Sequence, residues 1–567
     1  MPNNKRTPED NEKAQLENEV ARLSKKIAKY EAIELKQNRF GLVWLDVPEA
    51  FENDVENKLP ILEEVPKLAI NSKDGKPTHL LIEGDNYHVL TCLNYTHKGK
   101  VDVIYIDPPY NTGSDGFKYK DKRFLKEYPD GTEVPIDHPL RHSYWLSFMK
   151  KRLDLVRDLL SERGLMFITI DDNEMAQLKL LCDSIFGENN VEVMIWHKVG
   201  DDSGRLKITY RFRREHEYVL VCYKQKEKTF FKKFLTDRNY KNEYTNPDND
   251  PRGAYKQGII STTEAKSKST GKNFYTIKTP SGKAITRQWR FPKEEFERLD
   301  KDNRIYYGKD GSSIPSSKVF INEQKETTPI SILAELGTAK SAGIELEELM
   351  GSKIFNYPKP VSLIKHLLKI SSEKDDIVLD FFAGSGTTGQ AVSELNNEDK
   401  GARQFILITN NDEVVNGKKH KIMTDICLPR IKRVIKRDGG STKHFKTAFV
   451  GKNNILKAND ADKIELAHNA GGMLAIAENT FDRIEQNNYW QIFESNKQYT
   501  AVYFREEFSK FDDFVEKIRK LKKFVVVYIF SWEKEFDFNE FEDSKNIKVK
   551  TIPQPILEIY KQIYNLV

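Results

Sequence analysis

Cysteine is scarce in this chain of 567 residues: there are four, Cys92, Cys182, Cys222 and Cys427, separated by 90, 40 and 205 positions. No CxxC pair exists to grip zinc or cycle a disulfide, so no metal site is expected and a reducing cytosol fits best. Long apolar runs are missing as well. The longest, Phe524 to Phe530, is about a third of the roughly 20 residues that span a bilayer, and the polar start MPNNKRTPED has no apolar signal core. The expectation is a cytoplasmic chain with no membrane role. No GxxxxGK[ST] occurs, which excludes a P-loop.

Hydrophobic residues make up 38% and aromatics 11% of the chain, enough to bury several cores, and the length suits three or four folding units. Net charge is only +5, but between Lys198 and Arg290 there are 22 basic residues against 10 acidic ones, or +12. A basic block interleaved with Trp196, Tyr210, Phe212, Phe230, Phe274, Tyr275 and Trp289 suits phosphate neutralisation and base stacking, although a solvated Lys-rich surface has the same composition.

Residues 9 to 37 read as a charged helix with a short heptad stripe, Leu16, Val20, Leu23, Ile27 and Tyr30. From Leu80 come apolar strands alternating with helices: LLIEG (80–84), VDVIYID (101–107), an amphipathic stretch over 144–161, and LMFITI (165–170). That alternation predicts a parallel sheet covered by helices. The text then loosens into a loop-rich insertion, returns to βαβ with IVLDFF (377–382) and FILIT (405–409), and closes with an acidic-leaning α/β block around FVVVYIF (524–530). The boundaries read from these shifts are 1–40, 41–198, 199–336, 337–450 and 451–567.

Two motifs carry chemistry. Asp107-Pro108-Pro109-Tyr110 leaves a strand at its carboxyl end, where open α/β sheets bind ligands. Prolines fix φ and lack amide hydrogens, so the Asp107 carboxylate and the Pro108 carbonyl stand as a stiff pair of acceptors suited to a planar amino group, with Tyr110 to stack on its ring. The second motif, Asp380-Phe381-Phe382-Ala383-Gly384-Ser385-Gly386-Thr387, leaves a strand and opens a helix. Gly384 to Gly389 also spells GxGxxG with Asp412 some twenty positions on, so a dinucleotide-binding oxidoreductase stays open on spacing, against the bulk of Phe381 and Phe382.

Together the motifs resemble those of the amino methyltransferases of DNA. Their order, catalytic first and cofactor last with the insertion between, resembles the circularly permuted beta class. HLLIEGDNYHVL, THKGKVDVIYIDPPYNTG, RHSYWLSFMKKRL, FITIDDNE, YPKPVSLIKHLL, DFFAGSGTTG and FILITNN are similar to the adenine-specific modification subunits of type III restriction systems, over about residues 42 to 436. The resemblance implies a Rossmann-like α/β sheet, S-adenosylmethionine as cofactor, and double-stranded DNA as partner. The insertion would be its target-recognition region. The C-terminal block, a second α/β pattern that a methyltransferase fold does not need, reads either as an interaction domain for self-association as a homodimer or for a separate translocase and nuclease subunit, or as a buttress of the catalytic half.

Carried over, the resemblance gives Asp107, Pro108, Pro109 and Tyr110 the flipped adenine. It puts Asp380, Phe382, Ala383, Gly384, Ser385, Gly386 and Thr387 around the cofactor's methionine half, Asp85 and Asn86 near its adenine, and Lys359 and Pro360 beside its carboxylate. Where many relatives have an acidic residue for the ribose hydroxyls, this chain has Asn410 or Asn411. Cytosine offers the same kind of amine and is the nearest rival substrate, and a non-catalytic DNA-specificity subunit would keep the same fold.

Other features read as structural. HEYVL at 216–220 lacks the second His of HExxH. His138 and His142 are interrupted by Pro139, and Asp171, Asp172 and Glu174 read as loop or helix-cap residues near the site rather than as a metal centre.

Overall fold

The computed structural model describes Val20, Leu42, Trp44, Leu45, and residues 58–72, 74–112, 138–199, 214–233, 244–320, 328–411, 413–415, 418–451, 460–504, 510–530, 541 and 544–563. The expected helix over 9–37 lies outside these apart from Val20, as do Tyr210 and Phe212. The chain divides into a large unit, residues 1–230 with 330–567, and a smaller one, residues 231–329.

The large unit begins with β1 (Lys58–Glu64), β2 (Thr78–Glu83), α1 (Asn86–Thr96), β3 (Val101–Ile106), α2 (Ser143–Leu159), β4 (Leu160–Ile170), α3 (Met175–Phe186), β5 (Val191–His197) and β6 (His216–Tyr223). β7 (Tyr255–Ile259), β8 (Phe274–Lys278), β9 (Ala284–Gln288), α4 (Lys293–Lys301), β10 (Ile305–Tyr306) and β11 (Ser316–Phe320) make the smaller unit. The large unit resumes with β12 (Ile332–Leu333), α5 (Ala339–Met350), α6 (Val361–Ser371), β13 (Ile377–Asp380), α7 (Thr387–Asp399), β14 (Gln404–Thr409), the hairpin β15 (Glu413–Val415) and β16 (Lys418–His420), and α8 (Leu428–Asp438). Then follow β17 (Ser441–Gly451), α9 (Asp460–Ala477), β18 (Asp482–Gln486), β19 (Trp490–Glu494), β20 (Gln498–Phe504), α10 (Phe511–Arg519), β21 (Phe524–Phe530), β22 (Ile547–Val549) and α11 (Gln554–Ile563).

Ten described strands form one sheet in the order β1-β17-β2-β14-β13-β3-β4-β6-β5-β12. From β17 to β4 every neighbour is parallel. Such strands bury both faces, which is why LLI, VIYI and FILI read as unbroken apolar runs. β6 runs antiparallel between β4 and β5. The late strands β13 and β14 slot between the early β2 and β3. The fold is thus a Rossmann-like sheet with its segments permuted in sequence. The central consequence is that β13 lies beside β3, Val378 opposite Val103 and Leu379 opposite Ile104. The Gly-rich loop and the Asp107 motif therefore leave the same edge of the sheet, at the point where strand order reverses.

The C-terminal strands make a second sheet, β18-β19-β20-β21-β22. Ala467, Ala470, Met473 and Leu474 of α9 and Phe504, Tyr528 and Phe530 of this sheet belong to the same buried core as Leu80, Ile104, Trp145 and Ile406. The C-terminal block thus shares its interior with the methyltransferase sheet.

In the smaller unit, β7, β10 and β11 form one sheet and β8 pairs with β9. Ile260, Ile277, Ile285, Trp289, Phe296, Ile305 and Tyr307 make its core. Trp289 is 3% exposed, and Trp196 of β5 in the large unit is 1% exposed, so these two tryptophans are core residues and do not offer faces to bases. Lys266, Lys268, Lys272, Lys278, Lys283 and Arg290 are exposed.

Candidate active site

Asp107 sits at the end of β3 with Oδ1 at the centre of a tight cluster. It accepts hydrogen bonds from the Tyr110 hydroxyl at 2.9 Å and from Thr169 Oγ1 of β4 at 2.8 Å. Lys359 Nζ stands 2.8 Å from the same oxygen. Lys359 also donates to the Tyr110 oxygen at 2.8 Å and lies 4.7 Å from the centre of the Tyr110 ring, at its hydroxyl end. Glu217 of β6 closes the group: its Oε2 is 3.0 Å from the Tyr110 hydroxyl and 3.4 Å from Lys359 Nζ, and its Oε1 accepts from Lys198 at 3.0 Å. Two carboxylates and two ammonium groups thus balance within one pocket.

Burial works against the charge on Lys359, but the Asp107 and Glu217 carboxylates outweigh it and hold the ammonium above the usual lysine range. Burial likewise pushes Glu217 up, yet Lys359 and Lys198 prevail and keep its carboxyl below the ordinary range. Burial, then the two carboxylates, drives the Tyr110 phenol well upward.

The motif's backbone is pinned from below. Trp145 Nε1 of α2 donates to the Pro109 carbonyl at 2.7 Å. Asn111 takes a left-handed turn, φ 57°, and its Nδ2 donates to Glu174 Oε1 at 2.6 Å, an oxygen that also pairs with His142 Nδ1 at 2.7 Å. His142 and Glu174, which in sequence look like separate structural residues, therefore meet under the loop that carries Asp107. Burial raises the Glu174 carboxyl, against its bonds to His142 and Asn111. Among the described residues no group of three or more His, Cys, Asp or Glu is placed to hold a metal.

One strand over, Asp380 ends β13 in a different environment. It is 3% exposed, accepts from the Phe382 amide at 3.0 Å and from Thr388 Oγ1 at 2.5 Å, and burial pushes its carboxyl up to about 7. It caps the loop from within. Gly386 turns at φ 82°, and a Cβ there would stand 3.0 Å from Cys427 Sγ and 3.5 Å from Ile431 Cδ1. Its lack of a side chain thus serves the packing of α8 beneath the loop. Gly384, at φ 48°, faces a more open side, where a Cβ would meet Phe355 Cζ at 3.5 Å.

Arg430 of α8 is 1% exposed and donates to Ser385 Oγ at 2.9 Å, Thr387 Oγ1 at 2.8 Å and Gln390 Oε1 at 2.9 Å. Burial lowers this guanidinium to about 10. The Ser385 and Thr387 hydroxyls are therefore engaged inward. Phe382 packs against Phe148 and Phe381 at the loop's start, and the Ala383 amide donates to the Ile408 carbonyl at 3.1 Å.

Asp85 caps α1, its Oδ1 accepting from the Tyr87 amide at 2.8 Å and from Arg152 Nη2 at 3.2 Å. Arg152 is fully buried on α2, also holds Asn86, and Asn86 Nδ2 donates to the Phe381 carbonyl at 3.0 Å. This chain of bonds ties the GD turn to the Gly-rich loop. Asn410 follows β14, and its Oδ1 is buried with no hydrogen-bond partner among the described residues, as is Thr409 Oγ1 beside it. Buried acceptors left open next to an open-sided glycine fit a polar ligand laid across these strand ends. Pro360 begins α6. Lys359, matched in sequence to the cofactor carboxylate, has its ammonium in the Asp107 cluster.

A family model described as a DNA methylase matches residues 101–420. Over 72% of its length the chain is 35% identical to the StyLTI Mod subunit, a type III restriction-modification enzyme of Salmonella typhimurium, and spans 67% of that protein. It is 33% identical to the EcoPI Mod subunit of Escherichia phage P1, with 72% of this chain and 70% of the relative covered. A solved DNA modification methylase of Thermus thermophilus, complexed with S-adenosyl-L-methionine, covers 65% of this chain and 98% of its own at 15% identity and TM-score 0.31. The chain belongs to the DNA methylases that modify exocyclic amino groups and, among them, to the Mod subunits of type III restriction-modification enzymes. Its activity is site-specific transfer of a methyl group from S-adenosylmethionine to the amino group of adenine in DNA.

Proposed function

We propose that Asp107, Pro108, Pro109 and Tyr110 form the seat of the target adenine, rotated out of the duplex. The observation that carries this reading is the pairing of β3 with β13, which joins two motifs more than 270 positions apart at one sheet edge. Tyr110 stacks on the base, and the Asp107 carboxylate and the Pro108 carbonyl accept the two amino hydrogens. Holding both hydrogens draws the nitrogen lone pair out of the ring, so that it points at the neighbouring strand end. S-adenosylmethionine, when bound, supplies an electrophilic methyl group on a sulfonium.

Phe382, Ala383 and Gly384 border the methionine half of that cofactor, Asp85 its adenine, and Asn410 its ribose. Asp380, Ser385, Gly386 and Thr387 shape the loop through Thr388, Arg430 and α8, and Asn86 backs it. Lys359 serves the base seat, and Pro360 sets the start of the helix behind it.

The region 199–336, with residues 231–329 as its compact part, is assigned to target recognition, its exposed lysines holding phosphates. Restriction requires a second polypeptide, a translocase and nuclease, and the C-terminal sheet is the candidate surface for it or for a second copy of this chain. Because α9 and this sheet share the main core, point changes on the outer face test that docking better than deletion. No described helix is long and apolar enough to cross a membrane, and a cytoplasmic, DNA-associated location follows from the proposed substrate.

Expression in a methylation-free host followed by single-molecule mapping of modified bases tests the reading. N6-methyladenine at one recurring sequence is expected. Exchange of residues 199–336 with those of a relative should change that sequence, and a folded chimera that keeps it would move recognition elsewhere.

A further inference from the structure

Asp107 Oδ1 already has three donors around it: Tyr110, Thr169 and Lys359. An amino group entering at this oxygen competes with them. Thr169 and Tyr110 are tied to the strand and loop that carry Asp107 itself, since Thr169 Oγ1 also lies 3.2 Å from the Ile106 carbonyl. Lys359 comes from a different segment, ahead of α6, on a long side chain. Its ammonium stands where the base would be held, on the carboxylate oxygen and against the Tyr110 hydroxyl.

Glu217 Oε2 lies 3.4 Å from that ammonium, so a short swing moves the charge from one carboxylate to another without leaving it unpaired. Lys198 anchors the other Glu217 oxygen at 3.0 Å, keeping the acceptor in position. We propose that Lys359 holds the place of the target base in the resting site and passes its ammonium to Glu217 when the base enters. Glu217 is then a positioning residue, which frees Asp107 to grip the adenine amino group. The inference rests on the assignment of Asp107 and Tyr110 to the base.

The test uses a duplex carrying the recognition sequence found by mapping, and its twin with purine, which lacks the amino group, at the target position. Both are bound to the full chain with a non-reactive S-adenosylmethionine analogue. In the wild type, adenine should bind about tenfold or more tighter than purine, the size expected of a hydrogen bond to a charged group. Glu217→Gln should reduce that ratio to about threefold or less while purine binding stays within twofold, because Lys359 then stays on Asp107. Adding Lys359→Met should restore the ratio, and Lys359→Met alone should leave it at or above the wild-type value.

An unchanged ratio in Glu217→Gln, a double variant as poor as Glu217→Gln, or a lowered ratio in Lys359→Met each overturns the exchange. If Glu217→Gln loses purine binding through misfolding, the Lys359→Met result still decides. A wild-type ratio of one would instead overturn the base-site reading beneath it.

Discussion

Two aspartates end neighbouring parallel strands, and their surroundings give them opposite work. Asp107 is partly exposed, with Lys359 2.8 Å away, and is surrounded by donors. Asp380 is sealed under the Gly-rich loop with neutral partners, and burial raises its carboxyl to about 7. The first is equipped to meet a ligand's hydrogens, whereas the second shapes backbone. The glycines of the loop divide in the same way: Gly386 is closed in by Cys427 and α8, whereas a side chain at Gly384 would make only ordinary van der Waals contacts. Identity within a motif therefore does not tell which residues touch ligand; burial and partners do.

The comparison breaks most visibly at the glycines. Gly386→Val combines a left-handed backbone with a Cβ 3.0 Å from Cys427 Sγ, and should lower folding stability by about 2–4 kcal/mol, read as a fall in the urea midpoint. Gly384→Val should keep the midpoint within about 1–2 kcal/mol, the cost of a left-handed non-glycine residue, yet weaken S-adenosylmethionine binding by calorimetry about tenfold or more. Equal stability losses at the two positions would erase the distinction.

Asp380→Asn sharpens it through pH. The folded-state pKa of about 7 lies above the ordinary aspartate value, so the native state holds a proton that the unfolded chain has already lost. The contribution is fully present below about pH 4 and fades as pH rises through 7. Wild type should therefore lose up to about 2–4 kcal/mol relative to Asp380→Asn between pH 5 and pH 8. A constant difference across that range would mean the carboxyl is ionised throughout.

The smallest effect expected is at the exposed lysines of the 231–329 unit. Lys278→Ala or Lys283→Ala should weaken binding to all DNA sequences alike and reduce the salt slope by about one per lost phosphate contact. A change of preferred sequence without a change of slope would make these residues base readers.

Much of this was legible in the sequence because it is local. Apolar runs bounded by Gly, Pro and Asp marked β2, β3, β4, β13 and β14, and Pro108 and Pro109 marked where β3 ends. What escaped depends on distant partners. Glu217 sits in a strand that offered only an incomplete HExxH, and its value comes from Lys198, Lys359 and Tyr110 converging on it. Arg152 follows two lysines on an amphipathic helix and reads as solvent-facing, yet it is fully buried against Asp85 and Asn86. β1 and β17 carry too many charges to read as part of a central sheet, but they pair with each other from Lys58 to Glu64, and β17 runs beside β2. The tryptophans of the basic region show the reverse error, since composition suggested stacking surfaces and packing made cores.

The division of labour between the two strand ends is tested most directly by Asp107→Ala. We expect methyl transfer to its mapped adenine to fall by about 100-fold or more while S-adenosylmethionine affinity, measured by calorimetry on the same preparation, stays within a few fold of wild type. Methylation near the wild-type rate, or loss of cofactor binding in step with activity, would contradict the account.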